Sequence, residues 1–367
     1  MQALILAGGE GTRLRPLTSR IPKPVVPLVG RPFIVYMLEW LKSHGVDDAI
    51  LSCGFMAAGV SSVLGDGAQL GVRLRYVEEP QPLGTGGALK FAEEMLDERF
   101  LMLNGDVLTD IDLTAQLRQH EETGATITLG LYPVADPTAY GLVTRHDDGS
   151  VKAFVEKPRP EEIETNLISA GAYVIERAVL KQMAPAGTPS SIERDLFPQL
   201  VGRGVYAYEA SGYWMDIGTP QRYLQATYDI LDGEVATEAG RSVAASGGIR
   251  DDGATREGRV HGPAWLGAGA VIERDATVSG RTVLGPDVRL ATGAHVESSV
   301  LLKGCRVGAG TRIVDTILAP GVTIGEHCRI DNGVVIGQDV TIGSHNVLTA
   351  GMRVFPGVEL TDGAVAF

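Results

Sequence analysis

The stretch from Gln2 to Ala7 is mostly apolar and runs straight into Gly8, Gly9 and Gly11. Arg13, Arg15 and Lys23 follow, with prolines at 16, 22 and 24. Bare backbone beside fixed cations suits phosphate chemistry. Glycines after a strand let backbone N–H groups approach phosphate oxygens closely. Arg13 and Lys23 would then lie beside a polyphosphate and neutralise charge as it shifts. The prolines would stiffen the loop, because proline fixes φ. The loop is not a Walker A sequence, since G-x-x-x-x-G-K is absent, and it is not the dinucleotide G-x-G-x-x-G.

Such a loop needs a scaffold, and residues 1–232 supply the pattern of one. QALILA (2–7), AILSC (49–53), FLMLN (100–104) and ATITLGL (125–131) are short apolar runs of the kind that form buried strands. Between them the spacing predicts a helix over about 32–44, with Pro32 near its first turn and apolar residues at 34, 37, 38 and 41. A second helix is predicted over about 86–97. The alternation reads as a Rossmann-like, doubly wound α/β sheet, whose ligands bind at the carboxyl ends of the strands. Residues 233–258, rich in Gly, Ala and charge, read as a connecting segment with a strand entering the next domain.

From residue 259 to 367 the period changes to six. Val260, Leu266, Ile272, Val278, Leu284, Leu290, Val296 and Leu302 fall on every sixth position. The register slips through Val307 and Ile313 and resumes at Leu318, Ile324, Ile330, Ile336, Ile342, Leu348, Val354 and Leu360. Neither a helix nor an ordinary strand has this period. A hexapeptide β-helix does, each face sending one aliphatic side chain into a narrow core. Three faces per turn predict about five or six coils.

Composition narrows the function classes. The net charge of −13 argues against nucleic-acid binding, which needs a basic face. No apolar run approaches the roughly 18 residues of a membrane helix, and no basic region precedes the short apolar start, so a signal peptide is not expected. Cys53, Cys305 and Cys328 are widely spaced without a C-x-x-C pairing, which fits a reducing cytoplasm rather than a disulfide framework or zinc site.

The run G-G-E-G-T-R-L-R-P-L-T followed by P-K-P resembles the signature of the sugar-1-phosphate nucleotidyltransferases, the nucleotide-sugar pyrophosphorylases. The resemblance covers essentially the whole chain, because many members carry a left-handed β-helix after the catalytic domain. LGTGGAL (83–89), LNGDV (103–107), FVEKP (154–158), SSIERDLFP (190–198) and GYWMDIG (212–218) are similar to the mannose-1-phosphate guanylyltransferase branch in particular. The family joins a sugar 1-phosphate to a nucleotide and releases pyrophosphate, which demands positioning and charge neutralisation more than covalent catalysis.

The resemblance implies roles residue by residue. Leu6, Ala7, Gly8, Gly9, Gly11, Thr12, Arg13 and Lys23 would bind the nucleotide, with Glu79, Gly84, Thr85 and Asp106. Asp106 in LNGD and Asp216 in WMDIG match the family's Mg²⁺ positions. Asp110 and Asp112 read better as turn and helix-cap residues. Lys157 matches the lysine that holds the sugar phosphate, a compact point charge suited to several oxygens. Glu156 would accept hydrogen bonds from sugar hydroxyls, and Tyr140-Gly141 would lie against the sugar, with Ser169 and Gly171 nearby. Arg13, Lys23, Asp106, Lys157 and Asp216 form the implied catalytic set.

Two points of specificity stay open. The mannose enzymes usually read N-A-G where this chain has Ser169-Ala170-Gly171, so another hexose or a heptose 1-phosphate competes with mannose. For the base, a carboxylate such as Glu79, or else Glu78, can accept both N1–H and N2–H₂ of guanine, whereas uracil and thymine offer one donor. GTP is therefore favoured over UTP or dTTP. The alternatives are a glucose-1-phosphate uridylyl- or thymidylyltransferase, including a bifunctional form in which histidines 261, 295, 327 and 345 serve acyl transfer, and a catalytically silent regulatory subunit. A silent subunit would tend to lose the cationic loop or the aspartates, and both are present here. Homo-oligomerisation through the β-helix is expected, since its open ends and flat faces invite packing.

Overall fold

The computed structural model describes residues 1–54 and 56–366. Its contacts divide the chain into two units. One comprises Met1–Glu10 and Ile34–Trp214, the other Gly11–Phe33 and Met215–Phe367.

The first unit is built on a nine-stranded sheet. Gln2–Leu6 lies at its centre, parallel to Asp48–Cys53 on one side and to Arg99–Asn104 on the other. Arg73–Glu78 extends the parallel set. Gln2–Leu6, Asp48–Cys53 and Arg99–Asn104 are buried along almost their whole length, whereas Arg73–Glu78 at the edge is partly exposed. Leu4, Ile50 and Met102 are wholly buried in one core with Tyr173, Phe154 and Phe197. The ten-residue strand Leu167–Glu176 then runs antiparallel to Arg99–Asn104, and Ile127–Pro133 and Gly141–Arg145 pair with it. The sheet is therefore mixed, and its antiparallel part carries the FVEKP and Ser169-Ala170-Gly171 stretches.

Local chemistry sets the element ends. Phe33–Ser43 is helical, as the 34/37/38/41 spacing predicts. The helix expected over 86–97 instead covers Gly84–Phe91 and tightens into a 3₁₀ turn at Glu93–Met95. Its early start needs Gly84, which has a φ of 71° and where an added Cβ would lie 2.6 Å from the Ser190 carbonyl oxygen. Asp112 caps the helix Leu113–Thr123 by accepting the Ala115 N–H at 3.0 Å, and Asp110 accepts the Tyr213 N–H at 2.6 Å.

In the second unit three parallel sheets of seven, seven and six strands stack coil upon coil. This is the arrangement expected of a left-handed parallel β-helix, one coil taller than the six-residue period alone suggests. The inward ladder Leu266, Leu284, Leu301, Leu318 and Ile336 fills its core. Leu301, not Leu302, takes the ladder position, and Leu302 sits one step beyond it. The cause is a short corner: Leu284 faces Leu301 and Leu301 faces Leu318, seventeen residues apart, whereas Leu266 faces Leu284 at eighteen. These two missing residues, one in each of two successive coils, are the slip visible in the sequence around Val307 and Ile313, both of which stay in the core.

The outward row of one sheet runs Arg250, Trp265, Val283, Val300, Ile317, Val335, Arg353. Its middle members are buried although they point away from the β-helix core. Elements of the same unit cover them. Tyr228, on the helix Pro220–Asp232, hydrogen-bonds the Ser298 carbonyl, and Arg281 pairs with Asp232 while lying over the Tyr228 ring. Within 233–258 a further helix, Glu238–Ala245, is capped by Thr237, which accepts the Gly240 N–H at 3.0 Å. Trp265 lies so close to Gly30 that an added Cβ there would be 2.9 Å from its ring.

Candidate active site

In the first unit, three parallel strands end together. Past Leu6 the chain stays beside its neighbours: the Ala7 N–H donates to the Ser52 carbonyl at 2.8 Å, and the Gly105 N–H to the Leu6 carbonyl at 2.9 Å. Gly105 has no room for a side chain, since a Cβ would lie 2.7 Å from the Leu6 oxygen. Leu6, Ala7 and Gly8 thus line up with Asn104-Gly105-Asp106 at the strands' carboxyl ends. Gly9 faces open space: among the described residues, nothing comes within 4 Å of where a Cβ would sit.

Glu79 joins this edge and has a task the sequence did not reveal. Its Oε1 accepts the Ser52 hydroxyl at 2.9 Å and its Oε2 accepts the Leu83 N–H at 3.2 Å. The carboxylate props its own loop beside Gly8, whose added Cβ would approach Oε1 to 3.0 Å. Each oxygen has a second lone pair for another donor. Gly84 and Thr85 open the next helix, and Thr85 donates to Glu193 Oε2 at 2.6 Å while accepting the Ile192 N–H at 3.0 Å. Ser191 donates to the same Glu193 oxygen at 2.6 Å. LGTGG and SSIERD are therefore one packed feature, permitted by the bare α-carbons of Gly84, Gly86 and Gly87.

The antiparallel strands assemble a second cluster. Glu156 is in register with Gly141, and the Lys157 N–H donates to the Tyr140 carbonyl at 2.9 Å. Lys157 has a φ of 52°, and its side chain is exposed. The Glu156 carboxyl is pushed up, first by burial and then by the Glu193 carboxylate, while Lys157 and Arg194 pull it down. Trp214 organises the aromatic side: Tyr132 stacks on it at 5.8 Å, Tyr140 meets it edge-on at 5.4 Å, and its Nε1 donates to the Ala170 carbonyl at 2.8 Å. Ser169 hydrogen-bonds the buried Tyr173 hydroxyl at 2.9 Å. Gly171, at a φ of 71°, admits Asn104, whose Nδ2 would lie 2.8 Å from an added Cβ. The Asn104 Oδ1 is buried without a hydrogen-bond partner among the described residues.

The remaining predicted residues lie in the second unit. Gly11, at a φ of 63°, starts the 3₁₀ turn Thr12–Leu14, and its carbonyl accepts the Thr18 hydroxyl at 2.7 Å. Arg13 projects with 61% of its side chain exposed, 3.9 Å from Asp216 Oδ2. Asp216 is 11% exposed and also accepts Arg222 at 2.8 Å. Lys23 is buried, with its stem against Gly11. The Arg13 guanidinium lies against Gly218, 2.7 Å from where a Cβ would sit.

The strand-end glycine backbone of the first unit, with its exposed Lys157 and its Glu79 and Glu156 carboxylates, has the character of a nucleotide- and phosphate-handling surface, and the second unit by itself presents the exposed cation Arg13. The Nucleotidyl transferase family model matches residues 2–233, and the GMPPB C-terminal domain model matches residues 260–365. The chain belongs to the nucleotidyl transferase family. It is 36% identical to the mannose-1-phosphate guanylyltransferase of Mycobacterium tuberculosis, over 100% of this chain and 98% of that protein. It is 33% identical to the UTP–glucose-1-phosphate uridylyltransferase of Synechocystis, over 92% of this chain and 90% of that protein. Among solved structures, HddC from Yersinia pseudotuberculosis complexed with GMP-PN is 30% identical, with a TM-score of 0.53, covering 61% of this chain and 97% of that one.

Sequence reasoning about this nucleotidyltransferase passes over Asn104, Tyr132, Tyr173, Glu193, Trp214 and Arg222. Asn104 and Trp214 stand inside the LNGDV and GYWMDIG stretches, where the aspartates carry the stronger signal. Glu193 lies in SSIERDLFP, and its proximity to Glu156 arises only when two distant segments pack. Arg222 has no signal beyond lying near the start of a helix.

Proposed function

We propose that the chain transfers a guanylyl group from GTP to mannose 1-phosphate, giving GDP-mannose and pyrophosphate. The observation that carries this reading is the end-to-end match to a mannose-1-phosphate guanylyltransferase, β-helix included. A phosphate oxygen of the sugar attacks the α-phosphorus in line, a P–O bond forms, and the bond to pyrophosphate breaks. The backbone from Leu6 through Gly11, with Thr12, receives the triphosphate. Arg13 and Lys23 neutralise its charge. Lys157 holds the sugar phosphate. Glu156 and the orphaned carbonyl of Asn104 accept sugar hydroxyls, with Tyr140, Gly141, Ser169 and Gly171 shaping that side.

Asp106 and Asp216 are assigned as ligands of Mg²⁺, which would polarise the α-phosphate. The donor chemistry fits, since both are hard carboxylates. Mg²⁺ commonly takes one or two carboxylates and completes its shell with phosphate oxygens and water.

The decisive experiment is a matrix of four triphosphates against mannose, glucose and heptose 1-phosphates, read by pyrophosphate release. The uridylyltransferase relative makes UTP with glucose 1-phosphate the second reading. Glu79 provides a sharper test. Glutamine there keeps an acceptor for Ser52 but offers guanine one acceptor in place of two, so the GTP-over-UTP ratio of kcat/KM is expected to fall about tenfold. A wild type that prefers UTP or dTTP overturns the base assignment. An unchanged ratio in Glu79→Gln would leave Glu79 as the loop prop alone.

Homo-oligomerisation through the β-helix is part of the same proposal. Phe355 is half exposed, and Val354, Val358 and Leu360 are only partly covered in the last coil. Light scattering on the full chain should give an assembly, and a monomer would count against it. A cytoplasmic setting is proposed from the free, buried cysteines, of which Cys53 and Cys305 have thiols that burial pushes up to about 12. No described helix is long and apolar enough to cross a membrane.

A further inference from the structure

The carbonyl of Arg13 has an unusual need. In a 3₁₀ turn such as Thr12–Leu14 each carbonyl accepts the N–H three residues on. For Arg13 that residue is Pro16, which has no N–H. The Arg353 guanidinium takes the position instead: its Nη1 donates to the Arg13 carbonyl at 3.2 Å and to the Arg15 carbonyl at 2.9 Å.

Arg353 belongs to the outward row that reads Val283, Val300, Ile317, Val335 in the preceding coils. Continuing that row by packing alone would call for another aliphatic residue. Its replacement by a fork of donors, facing two carbonyls at the end of a tight turn, is a change of task. The same loop is tied at other points within the unit. Arg20 pairs with Asp339 at 3.1 Å, Arg31 with Glu238 at 3.1 Å, and Tyr223 hydrogen-bonds the Pro27 carbonyl. Of these ties, the Arg353 contact is the one that bears on the backbone that aims Arg13.

We propose that Arg353 is a positioning residue for the triphosphate: the β-helix holds the Arg13 backbone in place, and with it the cation that meets the nucleotide. The inference rests on the role given to Arg13 above. It makes the β-helix a working part of the substrate loop as well as a surface for assembly.

The test compares wild type, Arg353→Ala and Arg353→Lys as full-length chains. Amide hydrogen exchange across residues 11–20 reads the tether without any reaction. Steady-state kinetics with GTP and mannose 1-phosphate read its consequence. In Arg353→Ala the 11–20 amides should exchange faster, the KM for GTP should rise roughly three- to tenfold, and the KM for mannose 1-phosphate and the melting midpoint should stay near wild type. Arg353→Lys keeps a cationic donor and should restore much of both readouts. Unchanged exchange, or faster exchange with an unchanged KM for GTP, overturns the proposal, as does an equal rise in both KM values. A wild type that turns over no triphosphate would fail the transferase reading, and the exchange comparison would still decide the tether.

Discussion

Replacing Asp106 or Asp216 by asparagine is expected to lower turnover by roughly a thousandfold or more, about 4 kcal/mol of transition-state stabilisation. Asparagine keeps the shape and removes the charge that a hard cation requires. The two variants should differ in stability. Asp216 is nearly buried and accepts Arg222 at 2.8 Å, so its loss leaves a guanidinium with a weaker partner. Asp106 is half-buried at a strand end, and its replacement should move the melting midpoint less. Pyrophosphate release and thermal denaturation, run on both variants, check the pair. Turnover within about threefold of wild type, a loss of only ~0.7 kcal/mol, would remove that residue from the metal assignment.

The second large effect separates the two substrates. Lys157→Ala should raise the KM for the sugar 1-phosphate by about ten- to a hundredfold, the worth of one charge-assisted hydrogen bond of ~1.5–3 kcal/mol. Arg13→Ala should raise the KM for the triphosphate by a similar factor. Each side chain is exposed and adaptable, so neither change should unfold the chain. Kinetics varying one substrate at a time decide the matter. Equal effects of both variants on both substrates would contradict the division of labour.

Much of this architecture was legible because it repeats or is local. The aliphatic ladder announced the β-helix, since every inward position in a narrow core must be apolar. The slip at Val307 and Ile313 was legible as a slip. Its cause, a corner one residue shorter that substitutes Leu301 for Leu302, was not, because both residues are leucines. Asp112 could be read as a cap from its place before a helical pattern. What stayed hidden was pairing at a distance. The Glu79 carboxylate finds Ser52, and Glu156 comes near Glu193, through packing that no short window contains. The mixed character of the sheet was hidden for the same reason, because an apolar strand does not declare the direction of its neighbour.

The link from Arg353 to Arg13 also fixes an order of events during synthesis. It spans 340 residues, and the Arg20–Asp339 pair spans 319. Chains acquire structure as they emerge, beginning from the N-terminal side. The glycine-rich loop is made more than 300 residues ahead of the side chains that fasten it. A nascent chain can therefore close its central sheet long before its glycine-rich loop is seated. Until the final coils are laid down, that loop must wait, exposed and cationic, for partners not yet translated.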